Sequence, residues 1–197
     1  MLRQQVDHLD AILVTHAHRD HVGGLDDIRS FNYVQGRKMD IYLNGEARRA
    51  IERDYRYIFE PHEFPGLPEA ELHEVDSEFG IRNSEVMVVP ILARHKTLPV
   101  LGFRIGKLAY VTDANYIAES EMAKLNGVEV LVINALRKEK HFSHYCLPEA
   151  LEVIERVAPQ KAYLTHMSHE MGLHAEVERE LPEGVFLAYD NLEIEIL

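Results

Sequence analysis

The chain has 197 residues, enough for a domain with a substantial core. Its formal net charge is −12 at pH 7, which argues against a nucleic-acid partner, because phosphate binding depends on clusters of Lys and Arg. The single cysteine, Cys146, excludes a disulfide or a cysteine zinc site within one chain. We find no signal peptide and no apolar run near the ~20 residues of a membrane-spanning helix, so we expect a cytoplasmic protein with no membrane partner.

Strands and helices alternate in the first part of the chain. An apolar run at residues 11–15 predicts a short buried strand, and residues 24–34 predict a helix. A second strand is predicted at residues 39–44. The helix predicted at residues 45–59 would bury one apolar face, formed by Ala47, Ile51, Tyr55 and Ile58. Residues 60–70, with three prolines and a glycine, predict a loop.

The second part of the chain predicts a mixed sheet with helices outside it. A hairpin that turns at Gly106 and Lys107 is the clearest local signal. Strands are predicted at residues 71–76, 84–93, 101–106, 107–113, 128–136, 161–166, 185–190 and 192–197. Helices are predicted at residues 117–127, 147–158 and 174–184.

The stretch LVTHAHRDHVGG, residues 13–24, concentrates three histidines and an aspartate directly after the first predicted strand. His16 and His18 are two residues apart, so they point to the same side of an extended strand end. Asp20 and His21 follow in a turn that ends in two glycines. Neutral imidazoles and carboxylates are ligands for zinc, manganese and iron. The pattern therefore favours a metal site over a histidine-rich surface loop.

Other potential ligands stand at the ends of later predicted strands. His95, Asp113 and His166 each follow an apolar run. Taken singly, His95 has an alternative interpretation as a surface histidine, and Asp113 as a turn or capping residue. Loops at one end of a sheet can aim side chains at a common point, so we expect the three residues to act with the first cluster.

The His-x-His-x-Asp-His motif at residues 16–21 resembles the signature of the metallo-β-lactamase superfamily. His95, Asp113 and His166 match the later ligands of that family in order. The stretches YVTDAN, LRKEKHFSHYCLPEAL and LTHMSHEMGLH are most similar to the group of the phosphoribosyl 1,2-cyclic phosphate phosphodiesterase. The resemblance implies an α/β fold of the four-layer αββα sandwich type. It implies a single domain over residues 1–197, truncated at its N-terminus relative to the family.

The resemblance also implies a phosphodiesterase that hydrolyses small phosphate diesters, including cyclic ones, through a metal-bridging hydroxide. It assigns seven ligands to two divalent ions: His16, His18 and His95 to one ion, Asp20, His21 and His166 to the other, and Asp113 as the bridge between them. Manganese is the first choice of metal by resemblance. Zinc and iron are also admissible, since the ligand set contains no thiolate.

Two further histidines receive roles by resemblance. His144 would assist the leaving group as an acid, a role that suits an imidazole, although an exposed loop histidine is the alternative. His169 would contact the substrate phosphate or orient a metal ligand. Asp20 is a ligand that could also accept a proton. The remaining histidines considered, His8, His62 and His73, are predicted on the surface.

Members of the family normally carry further strands before the histidine motif. Without them the first sheet would expose an edge, and exposed edges invite pairing with another chain. We therefore expect a homodimer.

Other functions are known for similar ligand sets. A thioester hydrolase of glyoxalase-II type needs a helical substrate domain after the last histidine, whereas only 31 residues follow His166. A zinc β-lactamase usually has a cysteine at the position of Asp113, and a tRNA-processing nuclease needs a basic arm. A non-catalytic binding module that retains the fold is the alternative from a different class. Bound metal with turnover would indicate the enzyme, and metal-free ligand binding would indicate the module.

Overall fold

In the computed structural model, which describes residues 5–60 and 66–196, the chain divides into two units, residues 1–87 and 88–197. Each unit has its own sheet, its own helices and its own cluster of buried apolar side chains. The α/β class is therefore confirmed. The single domain over residues 1–197 stays a prediction. In the described part of the chain, no helix has both the length and the apolar character needed to cross a membrane.

The first unit contains a three-stranded parallel sheet in the order β1-β2-β3. Its strands are β1 (Ala11–Leu13), β2 (Met39–Leu43) and β3 (Ala70–Glu74), followed by the short β4 (Phe79–Gly80). Its helices are α1 (Arg19–Val22), α2 (Ile28–Gln35), α3 (Gly45–Asp54) and α4 (Arg56–Phe59), with a 3-10 turn at Leu25–Asp27. Ile12, Ile41 and Leu72 pair in register across the sheet.

Helix α3 has a clear start and a predicted buried face. The Asn44 side chain accepts a hydrogen bond from the Ala47 N–H at 2.8 Å, which caps the first turn. Ala47 and Ile51 then pack with Ile41 in the core of the first unit. The helix predicted over residues 45–59 is interrupted at Tyr55, whose backbone is not helical (φ −118°, ψ 36°), so α4 forms a separate turn.

The second unit contains a mixed sheet with the strand order β11-β10-β9-β7-β6-β5. Its strands are β5 (Met87–His95), β6 (Leu98–Ile105), β7 (Leu108–Val111), β8 (Tyr116–Ile117), β9 (Val130–Asn134), β10 (Lys161–Thr165) and β11 (Val185–Leu187). Its helices are α5 (Glu119–Met122), α6 (Leu147–Val157) and α7 (His174–Val177), with 3-10 turns at Ala123–Leu125, His169–Met171 and Glu178–Glu180. Strands β7, β9, β10 and β11 are parallel, while β5, β6 and β7 are successively antiparallel. As a result, β5, β7, β9 and β10 all end at the same edge of the sheet.

Two local sequence signals in the second unit, a glycine turn and a helix start, produce the predicted structure. The two-residue turn between β6 and β7 contains Gly106 at φ 56°, a conformation that glycine adopts without strain. Helix α6 begins with a capping box, in which the Glu149 carboxylate accepts a hydrogen bond from the Cys146 N–H at 3.1 Å. Val153 and Ile154 on its buried face belong to the same core as the strands of this unit.

Several predictions are corrected. Strand β1 is half-buried rather than buried, because it forms the edge of its sheet in the described structure. Residues 192–196, predicted as part of a strand over 192–197, are not in a strand. His73 is half-buried and bonded to Asp40, so it is not a simple surface histidine. The predicted loop prolines Pro61 and Pro65, and the predicted surface histidine His62, lie outside the described residues.

Candidate functional site

In the first unit, His16 and His18 lie between β1 and α1, whereas Asp20 and His21, which were predicted in a turn, lie on α1. His18 is the residue before α1, and its extended backbone starts the helix. The Tyr55 hydroxyl donates to the Val22 carbonyl at 2.6 Å, which ties the end of α1 to the residue after α3. A Cβ at Gly23 would lie 2.7 Å from the Arg19 carbonyl oxygen, so glycine is required for this tight turn.

The four predicted residues of this cluster lie together. His16 is 1% exposed, and the Thr15 hydroxyl lies 3.1 Å from its Nδ1. Its Nε2 lies 3.0 Å from His18 Nδ1, and its ring centroid is 4.2 Å from that of His21. The Asp20 carboxylate lies 3.3 Å from His21 Nε2. Three imidazoles and a carboxylate grouped at these distances offer nitrogen and oxygen donors of the kind that hold divalent ions.

In the second unit, the other predicted ligands occupy one edge of the sheet. His95 is the last residue of β5, Asp113 comes two residues after β7, and His166 directly follows β10. Asp113 and His166 have φ values of 57° and 56°, and Lys96, next to His95, has a φ of 60°. These left-handed residues turn the chain sharply at the end of each strand.

The Asp113 carboxylate joins the side chains at this edge. Asp113 is 2% exposed and accepts a hydrogen bond from the Thr112 hydroxyl at 2.8 Å. His166 Nδ1 lies 3.1 Å from Asp113 Oδ1, and His144 Nε2 lies 3.5 Å from Asp113 Oδ2. One ligand atom from each of His95, Asp113 and His144 lies within 4.8 Å of the others. Two imidazoles and a buried carboxylate at these distances fit a divalent ion.

Asn134, at the end of β9, supports the Asp113 turn and was not among the predicted site residues. Its fully buried side chain accepts from the Ala114 N–H at 2.8 Å and donates to the Ala114 carbonyl at 3.0 Å. The Asn134 amide therefore gives the Ala114 backbone one hydrogen-bond acceptor and one donor, as a neighbouring strand would. A potential ligand at the end of a predicted strand is the signal that marked His166, and a polar residue at the end of a strand would also have marked Asn134.

The loop before α6 contributes a second histidine pair. His141 and His144 bring their Nδ1 atoms to 3.2 Å from each other. Burial lowers the pKa of His141, and the charges of His144 and Arg137 act in the same direction. Ser143, which the sequence did not single out, is buried between them and its carbonyl oxygen lies 2.9 Å from His95 Nδ1. His169, in contrast, is exposed at the start of the 3-10 turn His169–Met171.

Comparison with known proteins gives matches that cover most of the chain. The family described as "Beta-lactamase superfamily domain" matches residues 1–167. A solved structure of a diphosphatase from the PhnP family superposes with a TM-score of 0.89 and 32% sequence identity, over 100% of this chain and 75% of that chain.

Two curated relatives extend well beyond the matched region. The chain is 35% identical over 189 residues to an octanoyltransferase of Porphyromonas gingivalis, covering 95% of this chain and 38% of that protein. It is 30% identical over 95 residues to the anti-Pycsar protein Apyc1 of Bacillus phage 010DV004, covering 41% of this chain and 35% of that protein. The chain thus spans less than half the length of these relatives.

The family model matches more than half of the chain, and the structural similarity extends over all of it. The chain belongs to the β-lactamase superfamily and has the metallo-β-lactamase fold.

Proposed function

We propose that the protein is a metal-dependent hydrolase of small phosphate diesters, including cyclic ones. The observation that carries this proposal is the buried Asp113 carboxylate, whose Oδ1 lies 3.1 Å from Nδ1 of His166, a second predicted ligand, and whose Oδ2 lies 3.5 Å from Nε2 of His144, the predicted acid. The similarity to a PhnP-family diphosphatase supports phosphorus rather than carbon as the centre attacked.

We further propose, by the pattern of the family, that the seven predicted ligands hold two divalent ions. The assignment lists His16, His18 and His95 for one ion, Asp20, His21 and His166 for the other, and Asp113 as the bridge. When bound, such ions lower the pKa of a water molecule and neutralise phosphate charge. The nitrogen and oxygen donors fit manganese, zinc or iron, with manganese as our first choice.

The other side chains have supporting roles in this proposal. His144 would donate a proton to the departing oxygen, since its Nε2 is directed at the Asp113 carboxylate, 3.5 Å away. Exposed His169 would contact the phosphate of the substrate. Asp20, whose side chain is 65% exposed, would serve as a ligand and could also accept a proton.

The proposed partners and location are argued from the net charge, the exposed aromatic side chains and the single cysteine. The net charge of −12 favours a small anionic substrate held by local metal charge over a nucleic-acid polymer. Half-exposed aromatic side chains on the second sheet, Tyr110 and Phe186, support a homodimer. A cytoplasmic location is proposed because the one cysteine, Cys146, is buried as a free thiol.

The name of the octanoyltransferase relative points to acyl transfer, so the test must compare two substrate classes. Manganese-loaded protein would be mixed with phosphoribosyl 1,2-cyclic phosphate and followed by phosphorus NMR, and separately with an octanoyl thioester. We expect conversion of the cyclic diester to a monoester and no thioester cleavage. Cleavage of the thioester alone would replace the proposal with a thioester hydrolase. Ligand binding without turnover of either substrate, by metal-free protein, would indicate a binding module.

A further inference from the structure

Ser143 lies at the centre of the histidine group in the second unit. It is 4% exposed, and two of its groups contact different histidines. Its carbonyl oxygen lies 2.9 Å from His95 Nδ1, and its hydroxyl oxygen lies 3.1 Å from His144 Nδ1. A single buried residue therefore contacts both a proposed metal ligand and the proposed acid.

The contact with His95 determines which ring nitrogen of that residue carries the proton. A carbonyl oxygen can only accept a hydrogen bond, so His95 Nδ1 must donate and must be protonated. In a neutral imidazole the other nitrogen then keeps its lone pair. His95 is thereby prepared to bind a metal through Nε2, as expected when a ligand histidine is oriented by its second nitrogen.

Ser143 also holds the ring of His144 by one nitrogen. The Ser143 N–H donates to His141 Nδ1 at 3.4 Å, so His141 Nδ1 is an acceptor. His144 Nδ1 lies 3.2 Å from that acceptor and 3.1 Å from the Ser143 hydroxyl oxygen. The Ser143 hydroxyl therefore holds the ring by Nδ1, which leaves Nε2, 3.5 Å from Asp113 Oδ2, as the atom that would exchange a proton with the leaving oxygen.

We propose that Ser143 is a positioning residue, which fixes His95 as an Nε2 ligand through its carbonyl and holds the His144 ring through its hydroxyl. The inference rests on the proposed function, because it explains how His144 is kept in place to protonate a leaving oxygen. Ser143 acts through the two histidines and has no contact of its own with the substrate in this proposal.

The substitution Ser143→Ala separates the two contacts, since it removes the hydroxyl and leaves the carbonyl in place. We expect wild-type metal content by mass spectrometry, a kcat for bis(4-nitrophenyl) phosphate lower by about tenfold, and a KM within about twofold of wild type. The control is Ser120→Ala, at an exposed position on α5, which should leave every value unchanged.

A second measurement does not depend on activity. Long-range ¹H–¹⁵N NMR of the histidine rings in metal-free protein should show His144 in a single tautomer. The Ser143→Ala variant should show a mixture of both tautomers, and Ser143→Thr, which keeps the hydroxyl, should restore the single tautomer. If Ser143→Ala does not fold, Ser143→Cys retains the volume with a weaker hydrogen bond and should change the spectrum in the same direction.

These measurements distinguish the two proposals. A wild-type protein that hydrolyses no phosphate diester would overturn the proposed function, while the NMR spectra would still decide the role of Ser143. An unchanged His144 spectrum in Ser143→Ala or Ser143→Cys would overturn the positioning role, even in a fully active enzyme.

Discussion

At the scale of single residues, backbone strain marks the strand ends that carry the candidate ligands. Lys96, Asp113 and His166 all have φ between 56° and 60°, a region that costs a residue with a Cβ about 1–3 kcal/mol. Such strain persists only where the surroundings enforce it, and the two hydrogen bonds from Asn134 to Ala114 do so next to Asp113. We interpret the strain as the consequence of directing these side chains to one edge of the sheet.

The first residue-scale prediction concerns His18, whose ring contacts His16 in the first cluster. His18→Ala should lose bound metal and lower the hydrolysis rate by about 100-fold or more, because even residues that only orient a ligand contribute up to that factor. Metal content after dialysis and kcat would be measured together. The control, His8→Ala, removes an exposed histidine and should match wild type. Full metal content in His18→Ala would exclude His18 as a ligand.

The second residue-scale prediction concerns His144. His144→Ala should keep its metal but slow turnover by about 10²–10⁴-fold, the usual contribution of a general acid. The loss should be larger for a diester with an alkyl leaving group than for one with 4-nitrophenol, because a good leaving group needs less protonation. His174→Ala, a half-exposed histidine on α7, is the matched control. An equal loss for both leaving groups would argue against acid catalysis.

At the scale of helices and strands, predictions from sequence succeeded where the signal was local. The hairpin at Gly106, the capped helix α6 and the strand ends at His95 and His166 each depend on residues close in sequence. The prediction for His73 was wrong because its partner Asp40 is 33 residues away, on the neighbouring strand. The break in the helix at Tyr55, whose side chain reaches Val22, has a similarly distant cause.

The prediction at the scale of helices and strands concerns the contribution of Asp40, on β2, to stability. Its carboxylate is buried and lies 2.7 Å from His73 Nε2 and 3.2 Å from the Arg37 guanidinium. Since these partners satisfy the carboxylate, we interpret the group as structural. Asp40→Ala should lower the free energy of unfolding by about 3 kcal/mol, because it removes a buried carboxylate that pairs with both Arg37 and His73. Urea unfolding would measure this, with exposed Asp76→Ala as a control that changes little.

At the scale of the whole molecule, one face of the second sheet carries aromatic side chains, two of which are half-exposed. Tyr110, Val132, Tyr163 and Phe186 pair in register across β7, β9, β10 and β11, so they share one face. Tyr110 and Phe186 remain 39% and 37% exposed, and the rings of Tyr163 and Phe186 stack with centroids 5.5 Å apart. Half-exposed aromatic side chains on a sheet face are often found at interfaces, which supports the proposed homodimer.

If the protein is a homodimer, we expect a particular mass in solution and a particular dependence of that mass on ionic strength. Light scattering on a sizing column should give twice the monomer mass of 22.7 kDa at micromolar concentration. Each chain carries a net charge of −12, so two copies repel one another. Raising the ionic strength from about 0.01 M to 0.1 M shortens the Debye length from ~30 Å to ~10 Å and should therefore strengthen association.

Phe186→Ser should weaken the dimer by about tenfold, since it removes apolar area worth roughly 1–2 kcal/mol. Tyr33→Ser, at a 91% exposed position on α2, should leave the dimer intact. A wild-type monomer at every salt concentration would show that the aromatic face does not pair with a second copy.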